Sequence, residues 1–202
     1  MSSHFVDVPA GKIAAVVTSL EMLRAPPARP ERADPGLALQ HVTKPDLAWY
    51  RALFRRVGEN WIWFSRLMMD DATLAAIIHD PLLEVHVLKA GTEDAGLLEL
   101  DFREPGECEI GYFGLAPTFV GTGAARWLMN RAIARAWARP IRRLWVHTCT
   151  FDSQDALAFY VRSGFRPFRQ QVEYADDPRV TGVLPRAAAP HVPMIEQVNR
   201  PA

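Results

Sequence analysis

The chain has 202 residues, 49% of them hydrophobic, which sets the expectation of a single globular domain over 1–202 able to bury a sizeable core. Its 23 basic residues balance 23 acidic ones, so no global charge directs it to nucleic acid or an anionic membrane. No apolar run approaches the roughly 18 residues needed to span a bilayer, and the first residues lack the basic-then-apolar pattern of a secretory leader. Two cysteines, Cys108 and Cys149, lack metal-ligand spacing and read as reduced thiols of a cytoplasmic protein without a metal.

In chain order, Lys12–Leu23 is rich in β-branched residues and reads as a first strand. Arg24–Gly36 holds four prolines and must be a loop; Leu37–Val42 is a short extended piece. From Asp46, a fitting N-cap, the residues Leu47, Tyr50, Leu53, Phe54 and Val57 recur at helical spacing until Gly58. Trp61–Met69 is apolar and reads as a helical turn or two. Asp71 is expected to cap a third helix stopped by Pro81. The period then changes to two over Glu84–Lys89, Gly96–Arg103 and Glu107–Leu115, separated by turns at Gly91–Ala95 and Glu104–Gly106, an antiparallel meander.

Leu115 leads through the loop Ala116–Gly123 into a helix, Ala124–Arg139, with an apolar stripe of Ala125, Leu128, Met129, Ala132, Ile133 and Ala136 and with Arg131 and Arg135 facing out. Arg142–Thr150 is strand-like. Asp152 or Ser153 can cap a short helix, Gln154–Arg162, that Gly164 ends. Phe165–Tyr174 is extended, and the proline-rich stretch 175–202 is expected to wrap the surface as an irregular tail. The alternation amounts to an α+β fold with one mixed, mostly antiparallel sheet and flanking helices.

Strand, glycine loop and helix are the parts of a diphosphate cradle, in which backbone N–H groups and a helix dipole converge. Gly121 and Gly123 let phosphate oxygens approach the main chain without a Cβ in the way, and Ala125 keeps the approach open. Leu115-Ala-Pro-Thr-Phe-Val-Gly-Thr-Gly-Ala-Ala-Arg-Trp-Leu128 resembles motif A of the GNAT superfamily of acetyl-CoA-dependent N-acetyltransferases. Ala156-Leu-Ala-Phe-Tyr-Val-Arg-Ser-Gly-Phe165 resembles its motif B, and the element order over 84–174 agrees with that fold. Val120 stands where the family usually has Arg or Gln, and Ser153 where many members have Asn.

The resemblance implies acetyl-CoA as co-substrate, held by Phe113, Gly114 and Leu115, by the loop and helix start Val120, Gly121, Thr122, Gly123, Ala124, Ala125 and Arg126, and by Ser153, Ala156 and Tyr160. It implies direct acetyl transfer to a small-molecule or peptide amine, with Tyr160 as general acid for the leaving thiolate and Glu109 as general base. A lysine-like amine, with a pKa of about 10.4, needs roughly 4–5 kcal/mol to be neutral at pH 7, so a base or a desolvating site must help. A non-catalytic acyl-CoA-binding or sensing module on the same fold is the competing reading. His147 and Cys149 alternate on one strand without a third ligand at matching spacing, which sets metal or nucleophile chemistry aside. Trp61 and Trp63 either line an acceptor pocket or fill core. The tail and the apolar residues near Trp61 are compatible with a homodimer.

Overall fold

The computed structural model describes residues 4–31 and 36–196. Seven strands form one mixed sheet: β1 (Lys12–Met22), β2 (Leu37–His41), β3 (Leu83–Ala90), β4 (Glu93–Asp101), β5 (Glu107–Leu115), β6 (Arg143–Cys149) and β7 (Arg166–Asp176). Their order is β2-β3-β4-β5-β6-β1-β7, and only β5 and β6 run parallel. The expected α+β architecture is present. The first strand is wedged between β6 and β7, antiparallel to both.

Helix α1 (Leu47–Gly58) buries Tyr50, Leu53, Phe54 and Val57 as its spacing requires, and the Asp46 carboxylate accepts from the Trp49 N–H as N-cap. A turn at Glu59–Trp61 and the short helix α2 (Ser65–Met68) account for the ambiguous apolar stretch. Helix α3 (Asp71–Ile78) is capped by Asp70, whose carboxylate accepts from the Thr73 N–H, and not by Asp71; Asp71 lies in the first turn and pairs with Arg51. With α1 and α3, the chain covers one sheet face over Val85, Val87 and Leu97.

The turn before β4 is shorter than expected. Strand β4 begins at Glu93, because Lys89 pairs with Asp94 across the hairpin and extends the ladder. Helix α4 (Ala124–Trp137) covers the other face, burying Leu128, Met129, Ala132, Ile133 and Ala136 against Leu98, Leu100, Ile110 and Val146. Arg135 does not simply face water: Arg135 and Arg139 both donate to the Glu84 carboxylate on β3. Burial opposes ionisation of Glu84, but hydrogen bonds from His86 and Arg135, with the charge of Arg135, hold it well below the usual carboxylate range.

Helix α5 (Ala156–Arg162) starts two residues later than its pattern suggested. Asp152 does not cap it; the carboxylate accepts from the Thr148 hydroxyl and the Cys149 N–H instead, closing the turn after β6. Gly164, at φ +103°, ends the helix as expected. Among the described residues no helix is long and apolar enough to cross a membrane. No group of three or more His, Cys, Asp or Glu there is arranged to hold a metal.

From 177 to 196 the chain has no helix or strand, but it is packed rather than loose; the rest of the expected tail, 197–202, lies outside the described residues. Arg179 is buried, forks onto Asp177 and donates to the carbonyls of Ala188, Ala189 and Val192. Ala189 and Val192 then seat on Ile13, Ala15, Ile62 and Phe151. Replacing Arg179 by Met leaves Asp177 as an unpaired buried carboxylate and frees the carbonyls of Ala188, Ala189, Val192 and Pro193, so stability should fall by about 3 kcal/mol. Amide exchange over 184–192 should rise in the same variant; unchanged melting with the tail amides still protected would refute this account.

Candidate active site

Strands β5 and β6 pair in parallel only from Glu107↔Arg143 to Ile110↔Val146. Beyond that point β5 stays on β4 as far as Leu115, while β6 stays on β1 as far as Cys149. The two strands part, and a cavity of about 470 Å³ opens between them. The Ala116 N–H donates to the Ala95 carbonyl at 2.9 Å. Alternation along the ladder therefore turns the peptide groups of Gly114 and Tyr112 to β4 and those of Phe113 and Leu115 into the opening.

Departure of β5 coincides with a β-bulge. Glu99 faces Tyr112, but Leu100 faces Ile110, so Gly111 is the extra residue. The bulge resets the alternation. Ile110, Phe113 and Leu115 face α4, whereas Glu109, Tyr112 and Gly114 face α1. Glycine is required at 114, since a Cβ there would lie 2.4 Å from Val57 Cγ1 and 2.9 Å from Trp63 Cη2. Trp63 is thus pressed on the strand, and its ring also meets Phe54 and Tyr112 at 5.5 and 5.0 Å.

On the α4 side the cavity is lined by Phe113, Leu115, Val120, Gly121, Ala125, Ser153, Ala156 and Tyr160. The loop reaches α4 through Gly121 and Gly123, at φ +81° and +97°, values that L side chains rarely adopt. Helix α4 has no side-chain N-cap. The Thr122 hydroxyl donates to the Phe119 carbonyl and makes only a 3.4 Å contact with the Ala124 N–H, so the following first-turn amides of Ala125 and Arg126 stay open to an anion. Thr122, Gly123, Ala124 and Arg126 do not line the cavity itself but form the rim of this loop. The Arg126 guanidinium donates to the Pro30 carbonyl.

Sequence reasoning missed two cations nearby. Arg29, donating to the Ser163 hydroxyl, has its pKa lowered by burial and by the positive charges of Arg126 and Arg162; Arg162 lines the cavity. No spacing rule links a proline-loop arginine to α5, so only the folded chain brings them together. Tyr160 is buried among Phe113, Phe159 and Phe165, and burial, with Asp152 adding to it, drives its phenol well above the ordinary value. Its hydroxyl has no hydrogen-bond partner among the described residues.

The α1 side is lined by Trp61, Ile62, Trp63, Phe64, Ser65 and Tyr112, with His147, Cys149, Phe151 and Glu173 across from them. Both tryptophans line the cavity while packing, Trp61 against His191 and Trp63 against Phe54. Ile62 between them has φ +58°, a strained conformation for a β-branched side chain. Ser65 and Tyr112 share a hydrogen bond, and Arg66 lies over the Tyr112 ring. Glu99 on β4 is fully buried and held by Arg66 and the Tyr50 hydroxyl.

Glu109 does not line the cavity; His147 does, and its Nδ1 lies 3.3 Å from the Glu109 carboxylate. Contact with Glu109 is the main cause raising the His147 pKa; Asp152 and Glu173 add to it, and burial opposes it. The pairing was legible only in part, because residues 109 and 147 become neighbours through the short parallel β5–β6 ladder. Burial pushes the Cys149 thiol up to about 11, which leaves it a protonated, inert wall residue.

The sequence profile of the Acetyltransferase (GNAT) family matches residues 47–165. No curated protein matches the chain. A GCN5-related N-acetyltransferase structure from Sphaerobacter thermophilus superposes with a TM-score of 0.58 at 18% identity over 94% of this chain and 55% of that one. A putative GNAT-family acetyltransferase from Novosphingobium aromaticivorans gives 0.55 at 20% identity over 83% and 67%. A GNAT-family acetyltransferase from Elizabethkingia anophelis, solved with acetyl-CoA bound, gives 0.52 at 18% over 67% and 79%. The chain thus spans about two thirds or less of the length of the first two.

His147 gains a proton partner on folding, so its charged form is favoured and its titration moves above the ordinary 6.5. Glu109→Gln removes that partner, and the His147 ring titration followed by NMR should move to lower pH. An unmoved titration would show that the carboxylate does not act on the ring.

Proposed function

The chain belongs to the acetyltransferase (GNAT) family, and from that premise we propose that it is an N-acetyltransferase that moves an acetyl group from acetyl-CoA to an amine by direct transfer in a ternary complex. The observation that carries this reading is the opening between β5 and β6, with an anion-accepting helix start on one side and a carboxylate–imidazole pair on the other. The residues fit the co-substrate. Open first-turn amides of α4, the glycine loop from Val120, and the arginines 29, 126 and 162 nearby suit a phosphate-bearing chain. When bound, acetyl-CoA supplies the thioester acetyl group.

The other roles fall to this chain's residues. In this reading the N–H groups of Phe113 and Leu115, turned into the opening, serve as oxyanion donors and cost no reorganisation. His147 is the general base in this reading, with Glu109 as the residue that orients it and lifts its basicity. This shifts the role expected of Glu109 one side chain forward, since Glu109 itself stands behind the ring. Tyr160, with an unpartnered phenol in an apolar surround, is the proton donor to a leaving thiolate. The walls of Trp61, Trp63 and Phe64, with Glu173 opposite, favour a small amine carrying an apolar or aromatic group.

Purified protein screened against a panel of amines should release CoA. With an amine that turns over, Tyr160→Phe and His147→Gln should each lower kcat by about 100-fold, while calorimetry with acetyl-CoA gives nearly the parent affinity. Full turnover in both variants removes the assignments, and acetyl-CoA binding without turnover of any amine favours a binding or sensing module. The acid limb of kcat/KM carries the sign. His147 must be neutral to accept a proton, so activity rises with pH through its raised pKa, and Glu109→Gln should displace that limb to lower pH.

A further inference from the structure

We propose that the β7 edge pairs with the β7 edge of a second copy of this chain, antiparallel about a two-fold axis at Gln171, so that the two sheets become one. Strand β7 ends the sheet order and carries nothing beyond it. It has 11 residues, ten of them exposed on one face or the other, and Val172 and Tyr174 are 73% and 52% exposed. The opposite edge, β2, is only five residues long, as a managed edge should be. Nothing of that kind blunts β7 after Pro167.

The ladder states which peptide groups are free. The Val16 N–H donates to the Thr150 hydroxyl and the Val16 carbonyl accepts from the Thr150 N–H, so the main chain of Val16 looks away from its β7 partner Val172. The Asp177 N–H donates to the Gly11 carbonyl. Odd positions of β7 from 171 onward therefore bond to β1, and the N–H and C=O groups of Gln170, Val172, Tyr174 and Asp176 point outward. The Pro167 ring, lacking an N–H, falls before the bulge at Phe168 and outside this run.

Charge selects the occupant and the register. Along Arg166-Pro-Phe-Arg-Gln-Gln-Val-Glu-Tyr-Ala-Asp176 the two cations precede the two anions. Antiparallel pairing centred on Gln171 sets Arg169 opposite Glu173 and Gln170 opposite Val172, while Arg166, beyond the bulge at Phe168, drops out of this register. Every pair occurs twice, as a two-fold interface demands. Arg166, Arg169 and Glu173 have no ion-pair partner among the described residues, and Asp176 meets only Lys12. Moving the axis by one residue either way keeps the outward peptide groups in step but takes Arg169 away from Glu173 on both sides of the axis. A foreign acidic or basic strand would satisfy only one half of the pattern. The apolar neighbours Val16 and Val172, on a stretch of sheet that no helix covers, continue the same surface.

Sedimentation of the full chain at micromolar concentration should give a mass twice the single chain's 22.7 kDa. Arg169→Glu and Glu173→Arg alone should each give the single-chain mass, because like charges then face across the axis twice. The double variant R169E/E173R should dimerise again. Val172→Pro removes one outward N–H without touching a bond to β1 and should also sediment as one chain with its circular dichroism unchanged. A parent chain that sediments singly, a dimer that survives both Arg169→Glu and Val172→Pro, or a double variant that stays single would each overturn the proposal.

Discussion

The site depends on a refusal of two parallel strands to stay together. Peptide groups in the middle of a sheet are normally spent on neighbours, and leaving them open is costly unless something polar takes the place of the missing strand. Here the separation is enforced from both sides. Below it, Arg143 on β6 donates to Glu107 on β5 at 3.2 Å and to Glu21 on β1 at 2.8 Å, which fastens three strands at the closed end. Above it, β5 follows β4 and β6 follows β1, and each is pulled away by the ladder on its far side. Gly111, the bulged residue, sits at the branching point, where extra twist helps β5 leave.

The first strand has a part in this that its place in the chain conceals. Strands β6 and β7 are joined through α5 and run in the same direction with a gap between them, and β1 fills the gap antiparallel to both. Without β1, β6 would have no partner above Val146, and His147 and Cys149 would not be held apart from β5. The amino-terminal segment is therefore part of the cleft's frame.

Local chemistry was legible where it is local. The β5 boundaries, the stripe of α4, the Asp46 cap and the Gly164 stop all follow from spacing and from residue types whose backbone preferences do not need a partner. The misplaced cap at Asp71 is a one-residue ambiguity between two adjacent aspartates, settled by which carboxylate reaches the Thr73 amide. Asp152 was misread for a different reason, since a nearer pair of donors, Thr148 and Cys149, outcompetes a helix start three residues on. Arg135 and Glu84 are 51 residues apart, and Glu109 and His147 are 38 apart. Such pairs appear only once the sheet order is known. Several residues that carry the resemblance to motifs A and B line one side of the cavity, but the resemblance could not say that the imidazole stands between the carboxylate and the cavity.

The bulge at Gly111 also divides the labour of β5. Without it, Tyr112 would point with Ile110 into the α4 core, and Phe113 would point at α1. With it, Phe113 and Leu115 serve the side where α4 begins, while Glu109 and Tyr112 serve the side walled by tryptophans. That second wall is fixed by a buried set of Glu99, Arg66 and Tyr50, to which Tyr112 is coupled through the Arg66 guanidinium over its ring. Burying an ion pair in place of apolar side chains adds little stability by itself, because desolvation consumes most of the attraction. What the pair does is forbid other packings, since any shift of α2 against β4 would strand a charge away from water. This side of the cavity is thereby held as firmly as the core, and the strained Ile62 keeps its place between Trp61 and Trp63 because Ile13, Ala15, Phe151 and the tail residues Ala189 and Val192 pack around it.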